Sequence, residues 1–276
     1  MRQVYLIPNI ITAFGLACGL FVIFKVSVIV PGVSSYQELY TSVLLLLVAA
    51  LADLLDGAVA RAMNAVSEFG EMFDSLADAI SFGVAPSVLL LKALSLEQGT
   101  GLSFFAVIGA MLFAICGVLR LVRFNIKANA AKGDEEAMAA HKKHFTGLPI
   151  PAGALAAISA IVFFASPFQQ KFLPMQSEAK AVVLTTIMIV LGYFMISRWK
   201  FPSVKMLHIK VPSFHLVLST VFVTLFLLYG ILHFLPVIMV IATWSYVVLG
   251  WILSIIRLIA GKKSKTLADF EPEQEE

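Results

Sequence analysis

The sequence predicts an all-α integral membrane protein, and three observations carry that prediction. Of the 276 residues, 60% are hydrophobic and only 13% charged, against roughly 45–50% apolar and about 25% charged in ordinary soluble domains. Apolar runs recur along the chain, each with the roughly 20 residues a helix needs to cross about 30 Å of hydrocarbon. Polar and apolar residues nowhere alternate at strand period over a useful length, which argues against a transmembrane barrel.

Eight such runs are read, at residues 8–30, 40–60, 74–94, 103–121, 150–168, 179–196, 213–234 and 235–256. The first follows a single Arg2, is long for a signal peptide and is succeeded by further runs, so it is expected to remain as a helix. The third contains Pro86, which predicts a kink because proline removes a backbone donor and crowds the preceding turn. Pro149 and Pro151 suit the start of the fifth, where missing N–H groups cost little. The last two runs form a hairpin joined near Pro236 and carry almost no charge.

Basic residues set the orientation. Arg2, then Arg61, then Arg120, Arg123, Lys127, Lys132, Lys142 and Lys143, then Arg198, Lys200, Lys205 and Lys210, and finally Arg257, Lys262, Lys263 and Lys265 fall at alternate ends of the runs. Positively charged loops face the cytoplasm, so both termini and the longer loops are expected there. Lys25, Lys92, Lys171 and Lys180 are the minority on the other side, where their stems can snorkel. The net charge of +3 is then a topology signal with attraction to anionic lipid head groups, and it does not point to nucleic acid.

Cys18 and Cys116 both lie within predicted spans, which argues against a disulfide framework. Residues 127–144 are the longest polar stretch and read as a solvated loop or surface helix; His141 and His144 within it read as part of a basic interfacial patch before a metal site. After Gly261, lysines give way to the acidic run 271–276, the pattern of a disordered tail.

The chemistry is carried by four aspartates. The second run ends in ALADLLDGAVARA and the third begins in EFGEMFDSLADAISFGVAPS. Asp53, Asp56, Asp74 and Asp78 therefore cluster at the cytoplasmic ends of two consecutive helices. Unpaired at mid-bilayer, four aspartates would cost on the order of 10 kcal/mol, so they must be solvated or neutralised. At about 100° per residue, Asp53, Asp56, Gly57, Ala60 and Arg61 occupy one arc of the first helix, and Asp74, Asp78 and Ser81 one stripe of the second. Both helices can turn their carboxylates into one cavity.

Four carboxylates in one cavity require cations between them, and hard divalent ions prefer oxygen ligands. Gly57, Gly70 and Ala60 remove bulk beside the acids, so a nucleotide can approach the backbone. Arg61 adds a fork of donors suited to phosphate. Singly, any of these residues reads as a helix-end or packing residue. A cation transporter is the competing reading, since acids within spans also mark ion paths. Against it, these acids lie at one membrane face among an arginine and glycines, with no broken helix evident at the midplane.

At these positions the sequence resembles the CDP-alcohol phosphotransferases, whose signature is Asp-x-x-Asp-Gly-x-x-Ala-Arg, eight residues, then Gly-x-x-x-Asp-x-x-x-Asp. Asp53, Asp56, Gly57, Ala60, Arg61, Gly70, Asp74 and Asp78 match it throughout. The resemblance implies a six-helix membrane core over residues 1–200, homodimeric, binding two divalent cations (Mg²⁺ or Mn²⁺) and CDP-diacylglycerol. Residues 201–260 would then be an added two-helix hairpin and 261–276 the tail. It further implies Asp53, Asp56, Asp74 and Asp78 as metal ligands, Asp53, Gly57, Ala60, Arg61 and Gly70 lining the CDP-lipid site, and Asp78 as the base acting on the acceptor hydroxyl.

Three segments, SFGVAPS at 81–87, RLVRFN at 120–125 and FTGLPIPAG at 145–153, resemble the phosphatidylserine synthase branch of that family. The resemblance implies L-serine as acceptor, with glycerol 3-phosphate, inositol phosphate and choline as the alternatives; the basic-residue pattern puts the active site on the cytoplasmic side, and with no organelle address evident a cell (inner) membrane is expected. Arg120 and Arg123 stand three apart on one helix side, suited to a carboxylate or lipid phosphate. One departure is that the branch shows Thr-x-x-Asn near the N-terminus, whereas Thr12 here is followed by Gly15.

Overall fold

The computed structural model describes residues 6–28, 36–63, 65, 67–97, 99–130, 144–197, 199–202 and 234–256. Among these, six stretches are helical, long and apolar enough to cross a membrane, and the protein is an integral membrane protein. The predicted span 213–234, the centre of the polar loop and the acidic tail lie outside the described residues.

The helices are α1 (Leu6–Val28), α2 (Tyr36–Ala62), α3 (Glu68–Asp78), α4 (Ala85–Leu94), α5 (Gly101–Ala130), α6 (Ile150–Ala165), α7 (Pro167–Phe172) and α8 (Ser177–Ile196), with α9 at Phe234–Ile256. Phe14, Phe21 and Phe24 of α1, Leu54 of α2 and Phe104 of α5 are exposed, as expected of side chains facing lipid. Inward faces use small residues so that backbones approach closely. A Cβ at Gly15 would lie 3.3 Å from Ala52, and one at Gly109 would run into Thr185. These are the crossings of α1 on α2 and of α5 on α8, the two most extensive helix pairs.

The third predicted run is one continuous path built in three parts, with the six π-helical residues Ala79–Val84 between α3 and α4. Pro86, in the first turn of α4, accounts for the irregularity. Having no N–H, it cannot satisfy the carbonyl four residues earlier, and a π-turn absorbs the misfit. Ala85 N–H accordingly reaches back to Ile80 O. The fifth run is shorter than expected. Ser166 ends α6 and caps α7, its hydroxyl accepting from Gln169 N at 3.3 Å, so α6 keeps 16 residues and spans about 24 Å.

One short antiparallel ribbon interrupts the all-helical pattern, pairing β1 (His144–Thr146) with β2 (Lys200–Pro202). It lies at the end of the bundle where α2 stops, α3 starts, and α5 and α8 finish. Ser75 of α3 and Asn125 of α5 meet there, Asn125 Nδ2 donating to Ser75 Oγ at 3.0 Å. Helix α9 docks on α6 and α8 through Thr243 and Ser159, 3.0 Å apart, and through Trp251 beside Phe194. Its C-terminal half therefore sits at this same end.

Candidate active site

Helix α2 brings Asp53 and Asp56, and α3 brings Asp74 and Asp78, into one cleft whose wall also includes Thr12 of α1 and Ser81 of the π-turn. Each helix has a local reason to start or stop here. Ser67 caps α3, accepting from Gly70 N at 3.1 Å, and Glu68 and Glu71 occupy its first turn, where acids complement the helix dipole.

One ligand oxygen each from Asp53, Asp56 and Asp74 lies within 4.8 Å of the others. Asp78 stands outside that set of three but lines the same cleft and is within side-chain hydrogen-bonding reach of Asp53. Carboxylates this close repel one another strongly in a poorly solvated site. An all-oxygen donor set suits a hard divalent cation, so the residues present fit one.

The remaining motif residues surround the acids. The Arg61 guanidinium folds back over Gly57, where a Cβ would lie 3.4 Å from Nη1. Ala60 is half-buried on the same helix end. A Cβ at Gly70 would be 3.2 Å from Asn9 Oδ1 and 3.1 Å from Ser67 Oγ. An asparagine therefore does face the site, but it comes three residues before Thr12, not three after.

Thr12 is a site residue that sequence reasoning passed over. Its hydroxyl lies within hydrogen-bonding distance of both Asp56 Oδ2, at 2.5 Å, and Pro8 O, at 3.1 Å. Asp56 is only 4% exposed, and a buried carboxylate needs such donors. Ser81 lies one turn beyond Asp78, and its buried hydroxyl has no hydrogen-bond partner among the described residues. The approach of α1 to this wall depends on Gly19, where any Cβ would overlap Ser81 Oγ.

Arg120 and Arg123 share a helix but meet different surroundings. Arg120 is 7% exposed, lies over the Phe124 ring at 5.3 Å and is in electrostatic range of Asp78 and Asp53. Arg123 turns to the end of α8, donating from Nη1 to Ile196 O at 2.8 Å and from Nη2 to Met195 O at 3.3 Å and Ser197 O at 3.2 Å. Gly147, at φ +80°, passes beside this guanidinium, where a Cβ would lie 2.8 Å from Nη2. Its N–H donates to Trp199 O at 2.8 Å.

The family model for CDP-alcohol phosphatidyltransferase matches residues 5–194, which includes every acid of the cleft. The chain belongs to the CDP-alcohol phosphatidyltransferase family. Among curated members of comparable length, a Helicobacter pylori CDP-diacylglycerol–serine O-phosphatidyltransferase is 33% identical over 250 residues, covering 85% of this chain and 93% of its own. A Bacillus subtilis protein of the same name is 32% identical over 199 residues, 72% of this chain and 91% of its own. A Methanothermobacter thermautotrophicus archaetidylserine synthase is 35% identical over 169 residues, 60% of each chain. Helix α9 lies beyond the residues the family model covers.

Proposed function

We propose that the protein transfers the phosphatidyl group of CDP-diacylglycerol to the hydroxyl of L-serine, giving phosphatidylserine and CMP. The observation that carries this reading is the shared cleft, in which four acids from two consecutive helices face one another beside a buried arginine. The names of the three relatives, each of which includes serine, support the choice of acceptor.

In this reading Asp53, Asp56 and Asp74 hold two divalent cations, Mg²⁺ or Mn²⁺, with Asp78 at their edge. The cations supply Lewis acidity toward phosphate oxygens when bound. Gly57 and Gly70 let the nucleotide approach the backbone, and Arg61 takes a phosphate oxygen. Arg120 binds the serine carboxylate, a charge-assisted contact in a site largely closed to water. Asp78 removes the proton from the serine hydroxyl. The serine oxygen then attacks the lipid-linked phosphorus in a single displacement, the bond to CMP breaks, and the electron pair leaves on the CMP phosphate.

The acids lie toward the end of the bundle that carries Arg61, Arg120, Arg123 and Lys200, which supports a cytoplasmic active site in an inner membrane. Helices α8 and α9 finish at that same end, and this supports eight crossings with both termini cytoplasmic, the core at 1–200, the hairpin at 201–260 and a tail from 261. A homodimer is part of the same reading.

The test is CMP release by the purified protein with CDP-diacylglycerol and Mn²⁺ or Mg²⁺, comparing L-serine with glycerol 3-phosphate, inositol phosphate and choline. Serine alone should support release, and a chelator should stop it. Release with another acceptor and none with serine would overturn the acceptor assignment while keeping the chemistry.

A further inference from the structure

We infer that Ser81 is an acceptor-recognition residue: one turn deeper in the cleft than Asp78, its hydroxyl accepts a hydrogen bond from the ammonium group of the acceptor. The inference rests on the serine reading above and adds to it a contact at the end of the acceptor that Arg120 does not hold.

Ser81 is 3% exposed and lines the same cleft as the four acids, but its Oγ has no hydrogen-bond partner among the described residues. A serine within a helix ordinarily bonds the carbonyl one turn back. Ser75 does so to Glu71 O at 3.0 Å, and Ser87 to Gly83 O at 2.9 Å. Ser81 lies between these two on the same helical path and does not. Its carbonyl is in a similar position. The nitrogen four residues on, Ala85 N, donates to Ile80 O, and the nitrogen five residues on belongs to Pro86, which has no hydrogen to give. On one side α1 passes so close that any Cβ at Gly19 would overlap Ser81 Oγ, so that helix covers the hydroxyl with backbone and brings it no side-chain partner. Leaving a buried hydroxyl unpaired is costly, and the cost is recovered where the missing partner is a ligand.

The surroundings select a positively charged ligand group. Asp74, Asp78 and Ser81 follow one another at one-turn intervals along α3 and the π-turn. An acceptor whose hydroxyl meets Asp78 therefore places its next polar group at Ser81. The carboxylates of the cleft repel an acceptor carboxylate and attract an ammonium. An ammonium carries three donors and no acceptor, and the neighbouring wall of Leu16, Ala49 and Phe82 offers apolar side chains. The Ser81 hydroxyl supplies an acceptor oxygen among them. Water on a divalent cation could donate to the same oxygen, so the test must separate the two.

The experiment compares the full-length protein with Ser81→Ala, which removes the hydroxyl alone. The KM for L-serine should rise about tenfold, the effect of losing one hydrogen bond to a charged group, while the KM for CDP-diacylglycerol and the Mn²⁺ concentration for half-maximal activity stay in place. Competitive inhibition by 3-hydroxypropionate, which is serine without its ammonium, should be equal in the two proteins. Without serine the variant should melt no lower than the wild type, because the hydroxyl it loses has no partner in the fold. An unchanged serine KM, weakened inhibition by 3-hydroxypropionate, a raised Mn²⁺ requirement or a lowered melting temperature would overturn the inference. Wild-type release of CMP only with acceptors that lack a protonated amine would instead overturn the serine reading, and this inference with it.

Discussion

The acids that line the cleft and the arginines beside it are placed on opposite principles. The α2–α3 wall is acidic, assembled from residues close in sequence, with glycines and a threonine giving the carboxylates room and a donor. The basic side lies beyond that lining and comes from a distant helix, with Arg120 of α5 in electrostatic range of Asp78 and Asp53 and Arg123 turned away to the end of α8. Chemistry on the donor phosphate needs several like-charged ligands held together by a cation. Acceptor binding needs one countercharge held apart from that cluster. In the proposed reaction, two arginines three residues apart thus come to do different work, one facing the acceptor and the other fastening a helix end.

The largest expected effect is on the acidic wall. Asp78→Asn should lower kcat by about 10²–10⁴-fold, the range for loss of a positioned general base, with both KM values nearly kept and the thermal melt unchanged. A loss under about tenfold would remove Asp78 from that role. Next comes the arginine pair. Arg120→Ala should raise the serine KM on the order of 10²-fold, as expected when one partner of a buried charged contact is truncated. Arg123→Ala should leave the serine KM in place and cost about 1–3 kcal/mol of stability through the uncapped α8 carbonyls. Equal effects of the two substitutions on serine would erase the distinction between them.

The smallest effect sharpens the acidic wall. Thr12→Val keeps the side-chain shape and removes the hydroxyl beside Asp56. The Mn²⁺ concentration for half-maximal activity should rise about tenfold, the lower end of the range for loss of a group that orients a metal ligand. An unchanged metal requirement would mean that Asp56 is held without Thr12.

What was legible in the sequence follows from how local each feature is. The acid cleft could be read because Asp53, Asp56, Asp74 and Asp78 recur at helical spacing on two neighbouring helices, and such spacing survives any packing. The irregularity at Pro86 could be foreseen, though not its form as a π-turn, which depends on how α3 and α4 are held against α5. The shortening of the fifth run turns on Ser166 capping α7. That signal sits inside an apolar stretch and is masked by its hydropathy.

Contacts between distant segments were not legible. Thr12 and Asp56 are 44 residues apart, and no periodicity links them. Arg120 and Arg123 are about 60° apart around α5, close enough to read as a pair. Only the position of α8 reveals that one of them has three carbonyls to satisfy. The seating of α9 is hidden for the same reason, since Thr243 and Ser159, which meet across it, are 84 residues apart.

The most direct test of the central claim, a single displacement by serine in a shared cleft, is the stereochemical course at phosphorus. CDP-diacylglycerol made chiral by sulfur substitution at the lipid-linked phosphate should give phosphatidylserine with inverted configuration, because the acceptor oxygen attacks opposite the departing CMP. Retention would mean two displacements through a covalent enzyme intermediate, and would contradict the assignment of Asp78 as a base acting on serine itself.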